Sequence, residues 1–122
     1  MDYKSPPIGN EISCVFHGIE DKFIQLNYLE ELLRRSLLKD NFTIMDFQIV
    51  KFGDIAGSLN FILAESHLIV HTYPEYNCFY VSFYTCRGPK DAEKVLNYIK
   101  KGLEFSLISD FSDKKIVVDP NF

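Results

Sequence analysis

Between residues 42 and 86 the chain offers four strand-like stretches in succession, and two stretches of helical period bracket them. Residues 42–52 have strand character. Residues 58–65 alternate, with Leu59, Phe61 and Leu63 pointing one way and Ser58 and Asn60 the other. Residues 66–72 are β-branched and apolar. Residues 78–86 alternate again, with Phe79, Val81 and Phe83 on one face and Cys78, Tyr80, Ser82, Tyr84 and Cys86 on the other. The connections are short: a loop from Gly53 to Gly57, and a turn over 73–77 in which Pro74 lacks a ladder donor and Asn77 tolerates the left-handed conformation.

Residues 20–39 carry Phe23, Leu26, Leu29, Leu33 and Leu37 at steps of three and four, with Leu32 beside them. Glu30, Glu31, Arg34 and Arg35 lie on or near the opposite face, as a surface helix requires. After the strands, Arg87-Gly88-Pro89 makes a break, and Pro89 suits the first turn of a second helix. Asp91 and Glu93 complement its positive start, Lys100 and Lys101 its end. Val95, Leu96, Ile99 and Leu103 form its apolar stripe. Residues 1–10 read as an arm and 11–18 as a first strand. Leu107-Ile108 and Ile116-Val117-Val118 read as short strands around a polar turn from Asp110 to Lys114.

The predicted order is β-α-β-β-β-β-α-β, an α+β two-layer sandwich of one mostly antiparallel sheet with two helices on one face. A length of 122 residues fits one domain over 1–122. The sheet face left bare carries Tyr80 and Tyr84 beside Ser58 and Cys86, and is too apolar to stay wet. A second copy of the chain is expected to pack there, sheet to sheet, as an αββα homodimer.

Hydrophobic residues at 47% exclude a disordered chain, and a net charge of −4 argues against general affinity for nucleic acid or anionic lipid. No apolar run approaches the roughly 20 residues that span a bilayer. The first residues show no signal-peptide core, so a cytoplasmic location is expected. Cys14, Cys78 and Cys86 are odd in number and lack the paired spacing of a zinc site, which points to free thiols.

The reactive residues concentrate in Glu65-Ser66-His67-Leu68-Ile69-Val70-His71-Thr72-Tyr73-Pro74-Glu75-Tyr76. From the residues alone several chemistries stay open. Ser66 can be a plain turn residue. His67 and His71 could bind zinc with Cys78 or Cys86, although no close pair fixes a tetrahedral set. Cys86 could be a nucleophile with His71 as its base. Neighbouring antiparallel strands bring Ser58, Ser66, His71 and Cys86 toward one another. Strict alternation puts Ser66 and His71 on opposite faces, so their cooperation needs a turn or bulge near Ser66. Strain at that point would assist breakage of the chain.

These residues resemble the S-adenosylmethionine decarboxylases of the short prokaryotic type. Glu-Ser-His-Leu-x-x-His-Thr-(Trp/Tyr)-Pro-Glu-Tyr matches Glu65 to Tyr76, and Phe-x-Thr-Cys matches Phe83 to Cys86. The resemblance implies self-cleavage between Glu65 and Ser66. The serine hydroxyl attacks the preceding carbonyl to give an ester, and elimination then leaves dehydroalanine, which becomes a pyruvoyl group, derived from Ser66, at the head of 66–122. No metal is implied. His71 matches the residue assisting elimination, Ser58 the serine supporting the cleavage intermediate, and Cys86 the proton donor to the former α-carbon. A pyruvoyl ketone takes the substrate amine as a Schiff base and acts as the electron sink that decarboxylation of an amino acid requires.

For substrate, Phe52 and Tyr73 match an aromatic pair that sandwiches adenine, and stacked rings also favour a sulfonium. Glu75 matches the acid that binds ribose. Phe16-His17-Gly18-Ile19-Glu20 loosely resembles an N-terminal aromatic-acid motif of the eukaryotic branch, from which His17 departs, with Glu20 in the place of its acid. Tyr73 stands where Trp is usual, and Asp54-Ile55-Ala56-Gly57-Ser58-Leu59 replaces the usual Pro-x-Gly-Val-Ser-Gly. The resemblance thus implies a decarboxylase of S-adenosylmethionine serving spermidine synthesis. Relatives of the fold act on arginine or ornithine with the same pyruvoyl machinery. A third reading is an uncleaved homologue that binds a ligand or partner without catalysis.

Overall fold

The computed structural model describes residues 8–88, 90–103 and 107–117, the last stretch as backbone. Its elements are β1 (Ile8–His17), α1 (Leu26–Lys39), β2 (Ile44–Lys51), β3 (Gly57–Leu63), β4 (Ser66–Tyr73), β5 (Cys78–Thr85), α2 (Glu93–Leu103) and β6 (Leu107–Val117). The strands form one sheet in the order β2-β3-β4-β5-β1-β6, with every neighbouring pair antiparallel. Both helices cover the same face, as the periodicities predict.

Period two explains why. Leu59, Phe61 and Leu63 on β3, Leu68 and Val70 on β4, and Phe79, Val81 and Phe83 on β5 are buried, while the residues between them are on the other face. Against them α1 sets Leu29, Leu33 and Leu37, and α2 sets Val95, Ile99 and Leu103. Burying side chains of this size contributes about 1.5–3 kcal/mol each. Phe16 and Phe79 stack across β1 and β5 at 5.0 Å between ring centres.

Three expectations need correction. The first strand begins at Ile8, not after residue 10, because Ile8, Gly9 and Asn10 all pair with β6. The helical stretch predicted over 20–39 is divided: Asp21–Phe23 form a 3₁₀ turn and α1 starts at Leu26. Extended backbone at Glu20 and Gln25, with ψ of 146° and 140°, swings the chain from the sheet to the helix layer. The polar turn expected over Asp110–Lys114 is instead strand, part of a continuous β6. That strand lies at the sheet edge, where polar and charged residues are tolerated. A register shift opposite Cys14 absorbs one extra residue of β6. Residues 1–7, Pro89 and Val118, to which the sequence assigned an arm, a helix start and a strand end, lie outside the described residues.

One brace joins the layers where β5 ends. Arg87 donates to the Asp40 carbonyl at 2.7 Å, to its carboxylate at 2.9 Å and to Asp91 at 2.8 Å, with its guanidinium 3.5 Å from the Phe42 ring centre. The residue after Cys86 is thereby tied to the end of α1 and to Asp91, just before α2.

Candidate active site

The β3–β4 connection is as short as a hairpin allows. Leu63 pairs with Ser66, leaving only Ala64 and Glu65 between them. Glu65 turns the chain with φ of 57°, in the left-handed region. A non-glycine residue there costs about 1–3 kcal/mol. A turn therefore precedes Ser66, but it leaves the alternation of β4 unbroken, with Ser66 on the core side and His71 on the open side; the strained residue is the one whose carbonyl precedes the serine.

Ser66 and Cys86 are both nearly buried, 8% and 5% exposed. The Cys86 thiol, just beyond β5, donates to the Glu65 carbonyl oxygen at 2.7 Å and lies 3.7 Å from Ser66 Oγ. One sulfur thus contacts both the nucleophile candidate and the carbonyl it would attack. A donor on that oxygen stabilises the negative charge an attack would create there.

Thr85 is a residue that sequence reasoning used only as part of a motif. It is fully buried, and its hydroxyl has no hydrogen-bond partner among the described residues. The β4–β5 ladder pairs His67 with Tyr84; extended by one residue, it sets Thr85 opposite Ser66 on the core side. The signal was available as the alternation of β5, which turns Thr85 inward together with Phe83.

The remaining candidates gather at the other end of the sheet. Ser58 faces His71 directly across β3 and β4 on the open side. Ser58 donates to the Asn60 side-chain oxygen at 3.0 Å. Phe52 stacks on His71 with ring centres 5.8 Å apart and planes 20° from parallel. Tyr73, at the end of β4, and Phe52 are exposed. Glu75 follows in a 3₁₀ turn over Pro74–Tyr76. Glu20 is brought to the same end because Ile19 donates to the carbonyl of Asn77 at 3.0 Å. Its carboxylate is exposed and 3.8 Å from Lys22.

The preceding loop is clamped to β4. Thr72 accepts from the Gly57 amide at 2.9 Å and donates to the Gly57 carbonyl at 3.2 Å. A Cβ at Gly57 would sit 2.8 Å from the Val50 carbonyl oxygen, so β2 and β3 approach there as only glycine permits.

The proximity expected of Ser58, Ser66, His71 and Cys86 is thus met within two pairs and not between them. Ser66 and His71 are the first and sixth residues of β4, a separation of roughly 16 Å along the strand. Within one chain, Cys86 cannot use His71 as a base. His67 and His71 share a face, but stand roughly 13 Å apart, too far to bind one zinc ion. Among the described residues no group of three His, Cys, Asp or Glu could hold a metal.

The open face explains its own electrostatics. Rows run across it: Glu11, Tyr84, His67 and Ile62, then Ser13, Ser82, Ile69 and Asn60, then Val15, Tyr80, His71 and Ser58. Burial lowers the pKa of His67, with Glu11 acting in the opposite sense. Burial and then Glu75 raise the Cys78 thiol. Cys14, enclosed in the core, is pushed up to about 12 by burial.

The model of one protein family, S-adenosylmethionine decarboxylase, matches residues 12–110. A Sulfurisphaera tokodaii protein named S-adenosylmethionine decarboxylase proenzyme is 36% identical over 98 residues, 80% of each chain. A protein of the same name from Sulfolobus acidocaldarius is 38% identical over 76 residues, so the match spans 62% of either chain. A third, from Aquifex aeolicus, is 30% identical over 93 residues, covering 75% of this chain and 69% of the relative. The crystal structure of the Aquifex aeolicus adenosylmethionine decarboxylase superposes with a TM-score of 0.74 at 23% identity, covering 94% of this chain and 92% of the other. That likeness is one of fold.

Proposed function

Because the chain belongs to the S-adenosylmethionine decarboxylase family, we propose that it is a self-processing decarboxylase of S-adenosylmethionine, acting as one domain over residues 1–122. The observation that carries the reading is the Cys86 thiol on the Glu65 carbonyl, beside Ser66 Oγ, at a left-handed turn.

In the uncleaved chain Ser66 Oγ attacks the carbonyl carbon of Glu65. The oxygen that gains charge is the one Cys86 donates to. The Glu65–Ser66 amide bond is exchanged for an ester, and strain at Glu65 is relieved when that bond breaks. His71 removes the α-proton of residue 66, which expels the Glu65 carboxylate and frees residues 1–65. Ser58 supports the intermediate. The dehydroalanine left at residue 66 tautomerises to an imine and takes up water with loss of ammonia, and the resulting pyruvoyl group on residues 66–122 supplies a ketone that accepts electrons from the carbon losing carbon dioxide. The residues present fit such a group: a buried serine and a donor at its neighbouring carbonyl. Cys86 then returns a proton to substrate.

The separation of the two pairs favours a homodimer. Exposed Ile62 and Val50 join the half-buried Tyr80, Tyr84 and Ile69 on a face too apolar to be left wet. Two sheets stack about 10 Å apart. With a two-fold axis crossing the strands between them, β4 lies over its copy in the opposite direction. The end of β4 that carries Ser66, with Cys86 beside it, then lies over the partner's Ser58 and the partner's His71, and each αββα dimer holds two sites. Phe52, Tyr73, Glu75 and Glu20 travel with the His71 end, and reach the same site as its adenosine-binding side.

The reaction supplies aminopropyl groups for spermidine synthesis, in the cytoplasm, where Cys14, Cys78 and Cys86 stay as thiols. Release of carbon dioxide from carboxyl-labelled substrates tests the reading. Release from S-adenosylmethionine is expected, with little from arginine or ornithine. Release from either amino acid alone would move the protein to the basic amino-acid decarboxylases.

A further inference from the structure

We infer that Arg87 is a positioning residue for Cys86: its guanidinium fixes the chain just past β5 and so holds the thiol on the Glu65 carbonyl. The inference rests on the assignment of Ser66 and Cys86 above, and adds a residue which that assignment leaves unused.

Cys86 stands one residue beyond β5, which ends at Thr85. The pairing with β1 stops at Thr85, opposite Asn10, and the pairing with β4 stops at Tyr84, opposite His67. No ladder therefore fixes the backbone of Cys86. Its sulfur is nevertheless placed 2.7 Å from the Glu65 carbonyl oxygen and 3.7 Å from Ser66 Oγ. A hold on the chain after the strand is what this placement requires.

Arg87 supplies that hold. Nη2 and Nε fork onto the two oxygens of the Asp91 carboxylate at 2.8 and 3.1 Å. The same Nη2 donates to the Asp40 carboxylate, and Nη1 to the Asp40 carbonyl. Hydrogen bonds between ionised groups in this forked form are the strong ones. The Asp40 and Asp91 side chains are only 14% and 10% exposed, so water screens these pairs less than it screens ordinary surface pairs. The Phe42 ring lies under the guanidinium and packs on Phe83 of β5, with ring centres 5.5 Å apart. One residue further on, the Gly88 carbonyl accepts from the Asn10 side chain on β1. Cys86 is thus held between the last paired residue of the sheet and a segment pinned to the helix layer by Arg87.

A brace that only stabilised the fold would affect every buried group alike. A positioning residue acts on one thiol, and a second buried thiol, Cys14 in the core, gives the internal comparison. Lysine keeps the charge of Arg87 and loses the fork, since one ammonium cannot reproduce the planar set of donors.

Iodoacetamide labelling of the cleavage-blocked Ser66→Ala chain, at a single pH, follows both thiols without processing. A buried thiol reacts through local opening. Arg87→Lys and Asp91→Asn should each label the Cys86 peptide severalfold faster and leave the Cys14 peptide at the parental rate. An unchanged Cys86 rate in both variants overturns the inference. Equal acceleration at Cys14 and Cys86 overturns it as well, because the brace would then serve the whole fold. In the chain with Ser66 intact, Arg87→Lys should slow cleavage by up to about 100-fold, the cost of a misplacement of about 1 Å. In the Cys86→Ala background it should add no further slowing, as residues acting through one another are not additive. The same slowing in both backgrounds would contradict action through the thiol. A parent chain that never cleaves would instead sink the enzyme reading, and the labelling rates would still decide for or against Arg87.

Discussion

The Cys86 thiol donates to the carbonyl oxygen of Glu65 at 2.7 Å, on the bond that joins Glu65 to Ser66. The family resemblance gives Cys86 work only after cleavage, as a proton donor to substrate. The contact ties the same side chain to cleavage itself. Removing one donor from a developing oxyanion costs about 10²–10³ in rate, and a thiol is a weak donor. Cys86→Ala should therefore cleave roughly 100-fold more slowly, and Cys86→Ser should recover part of that rate. Time courses of precursor disappearance on denaturing gels measure both. Cleavage of Cys86→Ala at the normal rate would remove the thiol from the processing step.

Ser66 and His71 begin and nearly end the same strand, so in the proposed dimer they act between two chains. Ser66→Ala and His71→Ala proteins are each expected to yield no pyruvoyl-headed chain alone. Coexpressed with different tags, they should produce cleavage only of the chain carrying His71→Ala, whose Ser66 meets the partner's His71. Mass spectrometry of each tagged chain reads the outcome. Continued absence of cleavage in mixed dimers would place both residues' action within one chain.

Thr72 holds both polar groups of the Gly57 peptide, which sets the height of Ser58 beside His71. Thr72→Val keeps the shape and strands two backbone groups in a buried place. The expected loss is about 1–3 kcal/mol, read as a lower midpoint in urea with an unchanged slope. A midpoint equal to that of the parent would mean that the hydroxyl does not hold the loop.

His67 makes stability fall in mild acid. Its folded pKa is lowered by burial, against an unfolded value near 6.5. The unfolded chain then takes up the proton first, so stability present at neutral pH is lost as pH falls below about 6.5. Replacing His67 with Gln should flatten the melting temperature between pH 7.5 and pH 5. A slope identical to that of the parent would assign the acid sensitivity to other groups.

The parts of the fold legible in the sequence were those with a repeating period. Leu29, Leu33 and Leu37 name the buried side of α1, and Phe79, Val81 and Phe83 name the buried side of β5. The polar residues of 110–114 suggested a turn where the backbone continues as an edge strand. The site was legible in chemistry and not in distance. Alternation along β4 says that Ser66 and His71 face opposite ways, but only the ladder register shows that Ser58 sits by His71 and Cys86 by Ser66.

The intact mass of the purified protein tests the central claim most directly. Two chains are expected, residues 1–65 and residues 66–122, the second lacking an α-amino group and carrying a carbonyl that reacts with hydrazine. A single chain of the full mass, with Ser66 unchanged after prolonged incubation, would contradict it.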